Sequence, residues 1–125
     1  MALTATILNV TRDTSALRVY GKIAASGTYT TGGDTLSFAG FDQIKANSIP
    51  LFVSVQSQNS AGHSGWEYGF TPGTTLANSK MQVLGQQPTS ASAGVIALSE
   101  LAAGSYPASI TGDVILFEAV FLYGV

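Results

Sequence analysis

Apolar and polar residues alternate with a period of two along most of this chain, the spacing of strands with one buried and one wet face. In ALRVYGKIA, Leu17, Val19, Gly21 and Ile23 fall on one side, and Arg18, Tyr20 and Lys22 on the other. LTATIL repeats the pattern with Leu3, Ala5 and Ile7 opposite Thr4 and Thr6. NVTRDTSA is then the hairpin connection, and the first two strands are neighbours. TLSF sets Leu36 and Phe38 against Thr35 and Ser37, and PLFVSVQSQ sets Leu51, Val53 and Val55 against Ser54 and Gln56. GWEYGF places Trp66, Tyr68 and Phe70 together, and a further strand around Met81 and Val83 follows the turn-rich TPGTTLANSK.

Between these strands the pattern weakens. AGFDQIKANSI is too short for a full helix and reads as a connector, with room for one helical turn over 41–46. From Gln86 to Gly112 the alternation fades into Ser, Ala, Gly and Pro, a long loop or excursion. In it Ser99 is a candidate N-cap and Gly104 a candidate stop for a short helical turn. DVILFEAVFLYGV is apolar on both faces over most of its length, which predicts a central strand covered on each side. Seven or eight short strands with almost no helix predict an all-β fold, an antiparallel β-sandwich or a jelly-roll-like barrel, as a single domain over 1–125.

Composition narrows the chemistry. Charged residues are 10% of the chain against about 25% in ordinary domains, so Gly, Ser and Thr must cover much of the surface with small neutral groups suited to packing on another protein. A net charge of -2, with five Lys and Arg scattered along the chain, argues against a grip on nucleic acid or anionic lipid. No apolar run approaches the roughly 20 residues of a membrane helix, so no membrane partner is expected. MALTATILNV has neither a basic leader nor a cleavage site, which predicts synthesis in the cytoplasm.

No catalytic or cofactor-binding residues are expected. A serine nucleophile needs a base, and His63 in NSAGHSGWEY is the single histidine; GHSG is not the Gly-x-Ser-x-Gly elbow and opens a strand pattern rather than a helix. With one His, no Cys and no Asp-x-Asp cluster, no metal site is expected either. Trp66, Tyr68 and Phe70 read as a core face or, alternatively, as an exposed stacking row for sugars.

Two features need separate weighing. Glu118 lies in VILFEAVF, where an unpaired buried carboxylate would cost several kcal/mol. An edge position, a hydrogen-bonded core acid, a salt bridge to Arg18 or Lys22, or a subunit interface would each resolve that cost. In GTYTTGGDTLSF, Gly32 and Gly33 suggest either a ligand cradle or a turn. The alternating strand that follows, in place of a helix, favours a turn in which both glycines take positive φ and Asp34 bonds the backbone.

Taken together, MALTATILNVT, GKIAASGTYTTGGDTLSF, WEYGFTPG, LANSKMQVLG and the closing VILFEAVFLYG resemble the small structural proteins of tailed bacteriophages. The resemblance implies a non-enzymatic virion protein on the capsid surface, a head decoration or cement protein. Its partner would be the major capsid protein, and it would assemble as a homo-oligomer, a trimer or dimer. A carbohydrate-binding β module on a fibre or spike, and another virion part such as a neck or tail component, are the alternatives. The segment 86–112 departs from the pattern, being longer and poorer in charge.

Overall fold

The computed structural model describes residues 2–41, 44, 49–57, 66–86 and 98–122. Among these described residues ten strands and one helical turn follow in order: β1 (Leu3–Arg12), β2 (Ala16–Ala25), β3 (Thr28–Tyr29), β4 (Asp34–Leu36), β5 (Phe52–Ser57), β6 (Trp66–Thr71), β7 (Ser79–Gln86), β8 (Leu98–Glu100), β9 (Gly104–Ser105), α1 (Ala108–Thr111) and β10 (Ile115–Leu122). The first sheet has the order β1-β2-β10-β5; the second has β4-β7-β6, with β8 also paired to β7; β3 and β9 form a two-stranded ribbon. Every pairing among these strands is antiparallel. The protein is an all-β, sandwich-like fold, with β1 lying against β4 and β5 against β6 at its margins.

Alternation explains which side of each strand is buried. Leu17, Val19, Gly21 and Ile23 of β2 face inward, as do Phe117, Ala119 and Phe121 of β10. Tyr68, Met81 and Val83 meet them from the second sheet. Phe38 sits at the centre, 5.8 Å from Phe117, 5.7 Å from Phe121 and 6.3 Å from Phe70 between ring centroids. Each such ring contributes roughly 1.5–3 kcal/mol by leaving water, so these contacts hold the two sheets together.

Several expectations are corrected. β1 does not end at Leu8: it runs to Arg12, and the connection to β2 shrinks to Asp13–Ser15, where the Asp13 N–H donates to the Ala16 carbonyl at 2.8 Å. The cause is a bulge between Ile7 and Asn9, which inserts Leu8 as an extra residue and reverses the inside-outside parity of the rest of the strand. Leu51 does not join Val53 and Val55 on the inner face; it precedes β5 and is 62% exposed. The helical turn lies at Ala108–Thr111, following Pro107, and not between Ser99 and Gly104; Ser99 belongs to β8, and Gly104, at φ 142°, to β9.

β10 is the central strand that its composition suggested, hydrogen-bonded to β2 and β5, but the second sheet covers it on one face only. Its other face carries Leu116, Glu118 and Leu122, each half-buried, and Val120, which is buried at 4% exposure. Between Phe41 and Ile44 one turn closes through Ile44 N–H to the Phe41 carbonyl at 3.1 Å; the remainder of the 41–46 turn lies outside the described residues.

Candidate functional site

Among the described residues polar chemistry gathers both inside the molecule and on its surface. The interior group is built around the diglycine turn that links β3 to β4. The Gly33 N–H donates to the Thr30 carbonyl at 3.0 Å, and φ is 93° at Gly32 and 103° at Gly33, values that glycine adopts without a Cβ penalty. A Cβ on Gly33 would lie 2.9 Å from the Met81 carbonyl oxygen, whereas at Gly32 it would meet open space. A strand follows the turn, so the loop has no helix N-terminus to attract an anion.

Two carboxylates bond the backbone of this turn. Asp34 accepts from the Thr30 N–H through Oδ1 (3.2 Å) and from the buried Tyr106 hydroxyl through Oδ2. Glu100, at the end of β8, accepts through Oε1 from both the Tyr29 hydroxyl (2.6 Å) and the Gly32 N–H. The Tyr29 hydroxyl in turn accepts from the Val83 N–H at 3.3 Å, and the Tyr29 and Tyr106 rings meet edge to face at 5.6 Å.

The electrostatics follow from these contacts. Burial, reinforced by the bond to the Glu100 carboxylate, pushes the Tyr29 phenol up to about 12. Burial and the Asp34 carboxylate raise Tyr106 as well. The Tyr29 hydroxyl and the Gly32 N–H hold Glu100 below the ordinary carboxylate range. All of these groups are spent on one another: the network joins the β3–β9 ribbon to the second sheet and fixes the turn. Asp34 bonds the backbone of its turn as its position in the sequence suggested.

A second buried pair lies near α1, where the Tyr68 hydroxyl donates to Asp113 Oδ2 at 2.7 Å while Asp113 Oδ1 is buried with no hydrogen-bond partner among the described residues. Trp66 is half-buried beside it, its indole N–H donating to Ser109 Oγ at 3.1 Å, and its ring lies over Gly85. Trp66, Tyr68 and Phe70 therefore share the inner face of β6, and Tyr29 is fully buried. Of Trp66, Tyr68, Tyr29 and Tyr20, the aromatic residues that motivate a sugar-binding alternative, Tyr20 alone faces outward. His63 lies outside the described residues. Among the described residues no group of three or more His, Asp or Glu side chains is arranged to hold a metal ion, and no helix is long and apolar enough to cross a membrane.

The surface place is the outer face of the first sheet. Register sets Glu118 of β10 between Tyr20 of β2 and Ser54 of β5. Glu118 thus reaches solvent from the middle of a sheet; it is neither at an edge nor in the core. Its partner is the Tyr20 hydroxyl, which this hydrogen bond holds above its ordinary value. The anticipated salt bridge to Arg18 or Lys22 does not form: Arg18 turns instead to Asp13, 3.5 Å away. Leu8, Tyr20, Ser54, Gln56, Leu116 and Glu118 surround a depression of about 350 Å³.

Glu100, Tyr106 and Asp113 carry much of the buried polar bonding and were not singled out by the sequence pattern. Comparison with protein-family models, with curated proteins and with solved structures returned no match for this chain.

Proposed function

We propose that the chain is a non-enzymatic structural protein of a tailed-bacteriophage virion, a head decoration or cement protein that binds the outside of the major capsid protein lattice. The observation that carries this reading is the use made of the segments that resemble phage structural proteins. GTYTTGGDTLSF supplies the turn over which Tyr29, Asp34, Glu100 and Tyr106 close, and VILFEAVFLYG contains β10, a central strand of the first sheet. Titratable groups tied up in a scaffold, and a neutral surface rich in Ser and Thr, suit a protein that works by contact area.

The mechanism is binding without turnover. A protein that bridges neighbouring capsid subunits stabilises the assembled shell by mass action, because it binds the lattice and not the free subunits. Weak single contacts suffice when linked copies grip a repeating surface, since each further contact is made at a high effective concentration. The partners on this reading are the major capsid protein and further copies of this chain, and the location is the capsid surface. Mass spectrometry of purified particles, with copy number per virion, is the test. Copies in proportion to the major capsid protein support the head-lattice role; a handful per particle would move the protein to the neck or tail, and absence from particles would overturn the reading.

A further inference from the structure

The outer face of the first sheet carries a charge pattern that is complementary to itself. Pairing of β2 with β10 sets three rows side by side: Lys22 with Leu116, Tyr20 with Glu118, and Arg18 with Val120. The β2 half of the face is therefore cationic on either side of a tyrosine, and the β10 half is a carboxylate with the half-buried Leu116 on one side and the buried Val120 on the other. Apolar groups border both halves. Leu8, pushed out by the bulge in β1, is 60% exposed, and Phe52, which pairs with Val120 across β5, is 46% exposed. Within one chain this complementarity goes unused, because Arg18 is turned to Asp13 and Glu118 takes the Tyr20 hydroxyl.

We propose that this face is covered by a second copy of the chain, in a two-fold contact whose axis runs along the strands between β2 and β10. That rotation lays β10 of each copy over β2 of the other. Each Glu118 then comes opposite the partner's Tyr20, with the partner's Lys22 and Arg18 on either side, and each Leu116 comes opposite the aliphatic stem of the partner's Lys22. A two-fold interface makes every contact twice, so one carboxylate per chain yields two charge-complementary clusters. Packed sheets stand about 10 Å apart with strands within about 30°, which is compatible with side chains from both faces filling the space that the depression around Leu8 and Leu116 now leaves open. The low net charge of -2 per chain opposes the approach of two copies only weakly. The inference does not rest on the capsid reading, since it concerns the free protein.

The test is the molar mass of the purified full chain by light scattering and sedimentation across a dilution series. The wild type is expected at twice the 12.9 kDa chain mass. Glu118→Lys places like charges together and is expected to weaken the dimer at least about tenfold. Lys22→Glu, at an exposed position that cannot disturb the core, is expected to do the same, and the double variant Glu118→Lys with Lys22→Glu to recover the dimer. Circular dichroism confirms that each variant is folded, and if Glu118→Lys fails to fold, Lys22→Glu alone decides. A monomeric wild type, a trimer, or a dimer indifferent to Lys22→Glu would overturn the proposal.

Discussion

Gly32 and Gly33 offer a comparison in which a single atom separates two effects. Both residues hold positive φ, 93° and 103°, so an alanine at either place adopts a backbone conformation that L residues avoid, at a cost of about 1–3 kcal/mol. Only at Gly33 does the added methyl also collide. It would stand 2.9 Å from the Met81 carbonyl oxygen and 3.0 Å from its carbon, and neither can retreat, because Met81 is paired in register with both Asp34 and Phe70. Overpacking of this kind adds about 1–3 kcal/mol, so Gly33→Ala is expected to cost roughly 2 kcal/mol more than Gly32→Ala. In a domain of this size that difference lowers Tm by roughly 6–10 °C. Urea and thermal unfolding followed by circular dichroism would measure it. Equal losses for the two variants would show that β7 yields to the methyl group, and would refute the view that close packing on β7 fixes the turn.

Other expectations concern the network and the first sheet. Tyr29→Phe removes a hydroxyl that both donates to Glu100 and accepts from Val83, and should cost about 1–3 kcal/mol in denaturant unfolding. Because the folded Tyr29 phenol is raised from 10.0 to about 12, its contribution is complete below pH 10 and is lost as pH rises through 12. An alkaline unfolding series should therefore fall less steeply in Tyr29→Phe than in the wild type. Glu100 is shifted the other way, so its contribution is present above the ordinary carboxylate range and fades as pH falls below it. Glu100→Gln should flatten the acid limb of the same stability profile, and an unchanged acid limb would remove Glu100 from the account. Gly21→Ala places a methyl 2.3 Å from the Thr6 carbonyl oxygen and 2.6 Å from the Phe117 ring, and a loss of about 1–3 kcal/mol is expected by thermal melting.

What could be read in the sequence followed from local period. β2 and β6 present to the core the residues that alternation assigned to one face, because parity is a property of neighbouring positions and needs no knowledge of the rest of the fold. Where parity is interrupted the reading failed. The bulge at Leu8 makes the second half of β1 look like a loop, since one inserted residue inverts every later side chain. Leu51 has the parity of Val53 and Val55 but lies ahead of the strand, and period alone does not mark where pairing begins.

β10 failed differently. Apolar residues on both faces describe a strand between two layers and a strand whose outer residues Leu116 and Leu122 stay partly open to solvent equally well, and the distinction is made by what lies above the sheet. The same limit applied to the interior network. The turn at Gly32 and Gly33 was legible because its chemistry is contiguous. The groups that clamp it, Glu100 and Tyr106, stand 71 and 72 positions from Tyr29 and Asp34. Tertiary folding, and not spacing, brings them together.

The strand order has a consequence for the moment of synthesis. β2 lies between β1, its immediate neighbour in the chain, and β10, which pairs Leu122 with Ala16 across almost the whole sequence. While the ribosome works through the intervening residues, the β1–β2 hairpin has both edges unpaired and an uncovered apolar face. An isolated hairpin is only marginally stable in water. Closing so long a loop is slow, and the nascent chain is open to pairing with other chains until β10 emerges. The first sheet therefore cannot close until β10 has been made, so the edge of β2 that β10 covers is the last part of the hairpin to be protected.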